Sequence, residues 1–146
     1  MLSNYNYLKL VKLSAWYDLV IILPFCTPWT LDYLYLFLQQ QHHYWQFQGQ
    51  LHNLNASHYL FANLLGAVVL VWALARIVQA QILLGRLDAL ARVLFSIWQI
   101  YAWLHGVSSL ILVFTVFEIG FGLAQALPLS SKSGPILPAT TELNTI

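Results

Sequence analysis

Residues 89–127 read ALARVLFSIWQIYAWLHGVSSLILVFTVFEIGFGLAQAL, and this run decides the fold. A helix needs about 20 apolar residues to cross the hydrocarbon core of a bilayer, so the run is long enough for two crossings. His105 and Gly106 interrupt it near the middle. The run therefore predicts two antiparallel membrane-spanning helices, over about 87–104 and 106–127, joined by a tight turn.

Two further apolar stretches precede this run. The first covers about 7–24 and stops at Pro24, whose ring disfavours continuation of a helix. Asp18 interrupts this stretch, which favours a retained helix over a cleaved signal peptide. The second stretch covers about 58–80. We therefore predict an all-α, polytopic membrane domain over residues 1–128 with four transmembrane helices.

The composition favours the same class of protein. The chain is 60% hydrophobic and 8% charged, with a mean hydropathy of +0.67. A soluble domain is about a quarter charged, so this sequence cannot supply an ordinary water-facing surface. The net charge of +1 and the lack of a basic run give no reason to expect nucleic acid as a partner. The single Cys26 excludes an internal disulfide and a CxxC site.

The positions of Lys and Arg orient the predicted helices. None of the six basic residues lies between Lys12 and Arg76, and none lies between Arg92 and Lys132. With four spans and both termini in the cytoplasm, all six fall on the cytoplasmic side, as the positive-inside rule expects. The predicted location is a bacterial inner membrane. Residues 129–146 lack hydrophobic periodicity and are predicted to form a flexible cytoplasmic tail.

The predicted outer loop, residues 25–57, begins with a short aromatic helix. Thr27 is expected to cap this helix and Pro28 to occupy its first position. Trp29 and Tyr33 are among the aromatic residues that follow, and Trp and Tyr concentrate at membrane interfaces. We therefore predict an outer interfacial helix. The rest of the loop is rich in Gln, His and Asn and is the predicted exposed surface.

Ionisable residues inside the predicted spans are the candidates for function. One comes from each helix, namely Asp18, Arg76, Arg92 and Glu118. A charge at the centre of a membrane helix costs about 2.5–3.5 kcal/mol, so we expect these side chains to pair in a buried charge cluster. Loss of Glu118 is then expected to leave a buried Arg unpaired. Asp88 is instead expected to cap the third helix and to pair with Arg92 four residues later.

Three interpretations fit these charged residues. In the first, the acids and arginines neutralise each other and fix the register of the helices. In the second, Asp18 or Glu118 titrates during proton-coupled transport or binds a polar headgroup, since intramembrane carboxylates are common in proton relays. In the third, the Arg side chains extend to the cytoplasmic interface.

Histidines gather at the predicted outer face. They are His42, His43, His52, His58 and His105. Their positions favour ordinary polar residues of an interface, because a di-haem four-helix cytochrome needs paired histidines deep within its helices. No acid or cysteine stands close to His42 and His43 in the sequence, which disfavours zinc or copper. No cofactor and no metal are predicted. A haem between His58 and His105, or a metal in the loop, is a lesser alternative.

Small residues spaced four apart predict close contacts between helices. The pairs are Ala62/Gly66, Gly120/Ala124 and Gly122/Ala126. Packing within the chain is the main interpretation of these pairs. The alternative is an interface with another membrane protein or with a second copy of the chain.

The second predicted span contains Asn63-Leu64-Leu65-Gly66 and ends with Trp72-Ala73-Leu74-Ala75-Arg76. Together with the size of the chain and its four predicted helices, this Gly-containing span resembles the DoxX-like group of small bacterial membrane proteins. The resemblance implies a four-helix bundle that is accessory to redox or membrane complexes. It transfers no catalytic residue to this chain.

The sequence predicts an accessory or interaction subunit of a membrane complex. No phosphate-binding loop, nucleophile elbow or metalloprotease motif occurs, so no catalytic residue is predicted. The first alternative is a small oligomeric, proton-coupled transporter that uses Asp18 and Glu118. A membrane redox enzyme or haem protein is the third candidate. The predicted partners are the lipid bilayer and either another membrane protein or a second copy of the chain.

Overall fold

The computed structural model describes residues 2–129 and is all-helical over that range. The five α-helices are α1 Asn4–Ile22, α2 Pro28–Tyr44, α3 Ala56–Val78, α4 Ile82–Leu104 and α5 Ile111–Ala126. A short 3₁₀ helix, Leu23–Cys26, follows α1. The prediction of an all-α chain is confirmed. The predicted tail, residues 129–146, lies outside the described residues except for Leu129.

The helix α2 begins as its sequence predicts. The side chain of Thr27 accepts a hydrogen bond from the backbone N–H of Thr30 at 3.3 Å, and Pro28 is the first helical residue. A proline is tolerated there because its missing N–H would have no partner inside the helix. The helix continues past the aromatic residues to Tyr44, through the Gln and His residues that were predicted as loop.

The helix α4 begins at Ile82, earlier than the predicted start near 87. The expectation that Asp88 caps this helix is therefore wrong, because Gln81 occupies the N-cap position. Gly85 lets the additional first turn of α4 pack against α1. A Cβ atom at Gly85 would lie 2.5 Å from Cγ2 of Val11, so only glycine allows the two helices to approach this closely.

The helix α5 begins at Ile111, later than the predicted start at 106. Backbone groups before it bond to the loop between α2 and α3, and the N–H of Ser108 donates to the carbonyl of Gln50 at 3.1 Å. The chain turns at Gly106, whose φ of +95° is a conformation that favours glycine. The predicted tight turn is thus present, but it is longer than expected.

The helices run between two ends of the bundle. At one end, the backbone N–H of Leu2 donates to the carbonyl of Pro128 at 3.2 Å, so the start of α1 lies beside the end of α5. The contact between Gly85 and Tyr7 places the turn between α3 and α4 at the same end. This basic end comprises residues 2–12, 76–86 and 125–129.

The opposite, loop end comprises residues 23–55 and 104–110. There α2 bends away from the preceding helical segment by 106°. Near the far end of α2, Nδ1 of His42 lies 2.7 Å from Oγ of Ser108, in the turn between α4 and α5. The helix α2 therefore crosses the loop end of the bundle, from the end of α1 to the turn between α4 and α5.

The helix α1 lies at the centre of the bundle and contacts α3, α4 and α5. Tyr7, Val11 and Ser14 are buried at helical spacing along one of its faces, and Ala15 is buried beside them. The helix α4 packs along α5. The helices α3, α4 and α5 therefore pack around α1.

One described helix, α3, is long and apolar enough to cross a membrane by itself. The segment from α1 through α2 passes the same test only as a bent pair, which raises the number to two at most. The helix α5 is apolar but has 16 residues, and both α1 and α4 contain charged side chains. Helix length and composition thus give a weak indication of membrane association. They do not support four separate spans.

Candidate functional site

Two buried arginines form the centre of the candidate site. The side chain of Arg76, near the end of α3, is 0% exposed, and that of Arg92, in the middle of α4, is 2% exposed. They are the two largest fully buried side chains among the described residues. Because a buried charge is costly unless it is paired, their acidic partners define the site.

Asp18 on α1 joins the two arginines. Its Oδ2 atom lies 2.5 Å from Nη2 of Arg76 and 2.7 Å from Nη2 of Arg92. Its Oδ1 atom also accepts a hydrogen bond from Arg92, at 2.8 Å. One carboxylate therefore connects α1 to α3 and α4.

Asp88 on α4 makes a second bridge between the same arginines. Its Oδ2 atom lies 2.6 Å from Nη1 of Arg76 and 3.0 Å from Nε of Arg92. Its Oδ1 atom accepts a hydrogen bond from Nε1 of Trp72 at 3.0 Å. Both oxygens of Asp88 are thus occupied by donors from α3 and α4.

Glu118 brings α5 into the site through one ion pair. Its Oε2 atom lies 2.7 Å from Nη1 of Arg92. The guanidinium of Arg92 also lies over the ring of Phe121, 5.0 Å from its centroid. A guanidinium in this position is attracted by the face of the ring. Arg92 therefore contacts α1 and α5 as well as its own helix.

The structure brings together the four residues that the sequence singled out and adds a fifth. The charge cluster consists of Asp18, Arg76, Asp88, Arg92 and Glu118. Asp88 was assigned to a helix terminus because the start of α4 was placed too late. The predicted pairing of Asp88 with Arg92, four residues later on the same face of the helix, is confirmed by their contact of 3.0 Å.

A buried polar network extends from the charge cluster toward the basic end. The hydroxyl of Ser14 accepts hydrogen bonds from Nη1 of Arg76 at 3.4 Å and from Nε2 of Gln125 at 2.6 Å. The backbone carbonyl of Gln125 accepts from the hydroxyl of Tyr7 at 3.0 Å and from Arg86 at 2.9 Å. Ser14 and Gln125 were missed in the sequence, where each is an isolated polar residue in an apolar helix.

The loop-end histidines do not form a metal site in the described part of the chain. His42, His43 and His52 line a pocket of about 250 Å³. Within residues 2–129, no group of three or more His, Cys, Asp or Glu side chains is arranged to hold a metal ion. His42 instead forms a hydrogen bond with Ser108, which connects α2 to the turn between α4 and α5.

His58 and His105 are each engaged locally. His58 and Asn55 form a reciprocal capping box at the start of α3, with hydrogen bonds of 3.0 and 3.1 Å. The ring of His105 stacks on Tyr101, with centroids 3.9 Å apart. These contacts fit the main interpretation of the two histidines as polar residues near the ends of helices.

The small-residue pairs have different environments. A Cβ atom at Gly66 would lie 2.4 Å from the backbone oxygen of Phe25, so this glycine permits a close internal contact. Gly122 is buried, and a Cβ there would lie 3.4 Å from Cβ of Arg92. A Cβ at Gly120 would meet no atom within 4 Å. The three remaining members of the pairs are half-buried or exposed, namely Ala62, Ala124 and Ala126.

An apolar groove of about 440 Å³ runs between α4 and α5 on the outside of the bundle. Its lining includes Ile97, Ile119 and Leu123, together with parts of Arg92 and Glu118. The groove therefore passes next to the charge cluster, although most of its lining is aliphatic.

Comparison of the chain with protein-family models, with curated proteins and with solved structures gave no match. The resemblance to the DoxX-like group therefore stays a prediction.

Proposed function

We propose that the chain is an integral membrane protein with four spans and with both termini on the cytoplasmic side of a bacterial inner membrane. Its pattern of burial is the observation that carries this proposal. Arg76 and Arg92 are buried, whereas large apolar side chains are exposed on every α-helix. Exposing apolar area to water costs about 25 cal/mol per Å², and lipid removes this cost because its chains are equally apolar.

The charges within α1 and α4 are compatible with this location. Asp18, Asp88 and Arg92 point into the bundle and are paired there, so they do not face lipid. The turn between α3 and α4, which contains no acidic residue, lies at the basic end with Lys9 and Arg86. Positive charge at one end agrees with the proposed orientation.

Cysteine labelling in intact cells tests the topology. In a variant with Cys26 replaced by serine, a cysteine at Gln48 is expected to react with an impermeant reagent from outside. A cysteine at Ser131 is expected to react only after the membrane is opened, because the two positions belong to opposite sides of a four-span protein. Labelling of both positions from the same side of the membrane contradicts the proposed topology. The parent without cysteine gives the background.

We further propose that the protein is an accessory or interaction subunit of a membrane complex. Each carboxylate of the charge cluster is bound by at least one guanidinium, which suits a role in holding the helices together. The outer face of α5 supplies a contact surface. Val116 and Leu123 are 68% and 66% exposed there, and Gly120 lies between them with open space in front of it. Such a face lets the backbone of another helix approach closely.

Two matched glycine variants test this interaction surface. Gly120→Leu adds bulk only to the open face of α5, so it is expected to release a copurifying membrane partner without lowering the folded yield. Gly122→Leu is expected to lower the yield, because Gly122 packs against α4. The measurement is copurification from detergent extracts without crosslinking. Unchanged recovery of the partner with Gly120→Leu would rule out this face as the interface.

Proton-coupled transport is the second candidate function. The observation that favours it is the composition of the charge cluster, in which three carboxylates face two guanidiniums. An intramembrane acid without a full countercharge is typical of proton pathways. An oligomer and proton-dependent flux in proteoliposomes would support this candidate over the accessory role.

A further inference from the structure

We propose that the charge cluster is a proton-binding site in which Glu118 carries a proton in the resting protein. This inference deepens the second candidate function and rests on the proposed membrane location. The reaction is a simple one, in which one carboxylate oxygen gains a proton supplied by water and becomes a neutral acid. The O–H bond that breaks is that of the hydronium ion in the water that delivers the proton.

The count of charges in the cluster favours a bound proton. Three carboxylates and two guanidiniums leave one negative charge in excess inside the bundle. The nearest further guanidinium, that of Arg86, donates to the carbonyls of Gln125 and Leu127 instead. Removing a net charge from water is expensive, and a site relieves this cost by taking up or releasing a proton.

The hydrogen bonds select Glu118 as the proton carrier. Both oxygens of Asp18 accept hydrogen bonds from Arg92, and both oxygens of Asp88 have donors from the cluster or from Trp72. Glu118 accepts one hydrogen bond, on Oε2. Its Oε1 atom has no donor in the described part of the chain. A proton on that oxygen leaves every ion pair of the two aspartates unchanged.

The groups around Glu118 come from three other helices. Arg92 and Asp88 face it from α4, and Asp18 faces it from α1. The guanidinium of Arg76 reaches the cluster from α3 through the two aspartates. The negative charges of Asp18 and Asp88 disfavour a negative charge on Glu118. Arg92 favours a negative charge there, but it also pairs with both aspartates.

A basic residue from a partner protein is the competing source of positive charge. The groove beside Glu118 has a mostly aliphatic lining, which is a poor path for an ammonium or guanidinium group. A proton needs no such space. The lining therefore favours a proton over a cation from a partner protein.

Infrared spectroscopy of the purified, detergent-solubilised full chain tests the proposal. A protonated carboxylic acid has a carbonyl-stretch band that a carboxylate lacks, and the chain has only five Asp and Glu residues. The wild type at neutral pH is expected to show this band, with an intensity of one acid per chain. Glu118→Gln is expected to lose it completely, whereas Asp32→Asn, which changes an exposed acid of α2, is expected to keep it.

Each other outcome overturns a defined part of the proposal. Absence of the band from the wild type, or its persistence in Glu118→Gln, rules out a proton on Glu118. If Glu118→Gln does not fold, Glu118→Asp keeps the acid and is expected to shift the band. If the band is present in the isolated chain but absent from a copurified complex, a cation of the partner, and not a proton, balances the charge of Glu118 in that complex. Recovery of the chain without detergent would overturn the membrane location instead.

Discussion

Asp88→Asn is expected to lower the free energy of unfolding in detergent by about 3 kcal/mol, the cost of breaking a buried ion pair by removing one partner. Asp88 contacts Arg76 at 2.6 Å and Arg92 at 3.0 Å, so one substitution removes two ion pairs. The amide group of the new Asn also places N–H donors against guanidinium donors. Thermal or denaturant unfolding of the purified protein measures this loss.

Glu118→Gln is the matched comparison for Asp88→Asn and is expected to cost about 1 kcal/mol or less. It replaces one acid group, keeps an oxygen that accepts a hydrogen bond from Arg92, and leaves two carboxylates for two guanidiniums. This expectation replaces the one drawn from the sequence, in which losing Glu118 would leave a buried Arg unpaired. Equal losses for the two variants would contradict the unequal roles of the two acids. Additive losses in a cycle of Asp88→Asn with Arg76→Gln would show that those two side chains are not coupled.

Gly66→Ala is expected to destabilise the protein by about 2 kcal/mol, within the range for forcing an extra methyl group into a packed contact. A Cβ atom at Gly66 would lie 2.4 Å from the backbone oxygen of Phe25. That oxygen also accepts a hydrogen bond from Nδ2 of Asn63 at 3.0 Å, so it is held in place. Because the obstacle is backbone, α3 has to move away from the 3₁₀ helix at the end of α1.

Gly120→Ala is the control for Gly66→Ala, because both glycines lie within helices but only Gly66 faces a neighbouring backbone. The control is expected to be neutral or slightly stabilising, since alanine is favoured over glycine inside a helix by about 0.5–1 kcal/mol. Unfolding curves of the two variants under identical conditions give the difference. A Gly66→Ala protein as stable as the control would mean that α3 does not pack against Phe25 as described.

The helical class and the central residues of the site follow from local sequence patterns. Apolar runs broken at Pro24 and Gly106 mark helices, because each break has a physical cause that does not depend on the rest of the fold. Arg76 and Arg92 are recognisable as paired residues because an unpaired charge within an apolar helix is costly. The sequence alone therefore predicts that these arginines pair with Asp18 and Glu118.

The features that the sequence did not predict depend on contacts between distant segments. The residues just before α5 contact the loop between α2 and α3, through a hydrogen bond between Ser108 and Gln50 that no local propensity encodes. The earlier start of α4 depends on Gly85 fitting against Val11 of α1. The course of α2 across the bundle is anchored by the contact between His42 and Ser108. A helix that ends on a tertiary contact is predictable as a helix, but its direction is not.

The charge cluster also joins helices that are synthesised at different times. Asp18 is synthesised 58 residues before Arg76 and 74 residues before Arg92. At about 5–20 residues per second, Asp18 is made roughly 4 to 15 seconds before both of its counterions exist. In the proposed membrane location, an unpaired carboxylate opposes the entry of α1 into lipid during that interval. For the proposed membrane location, we expect α1 to reach its final depth only after α4 has been made.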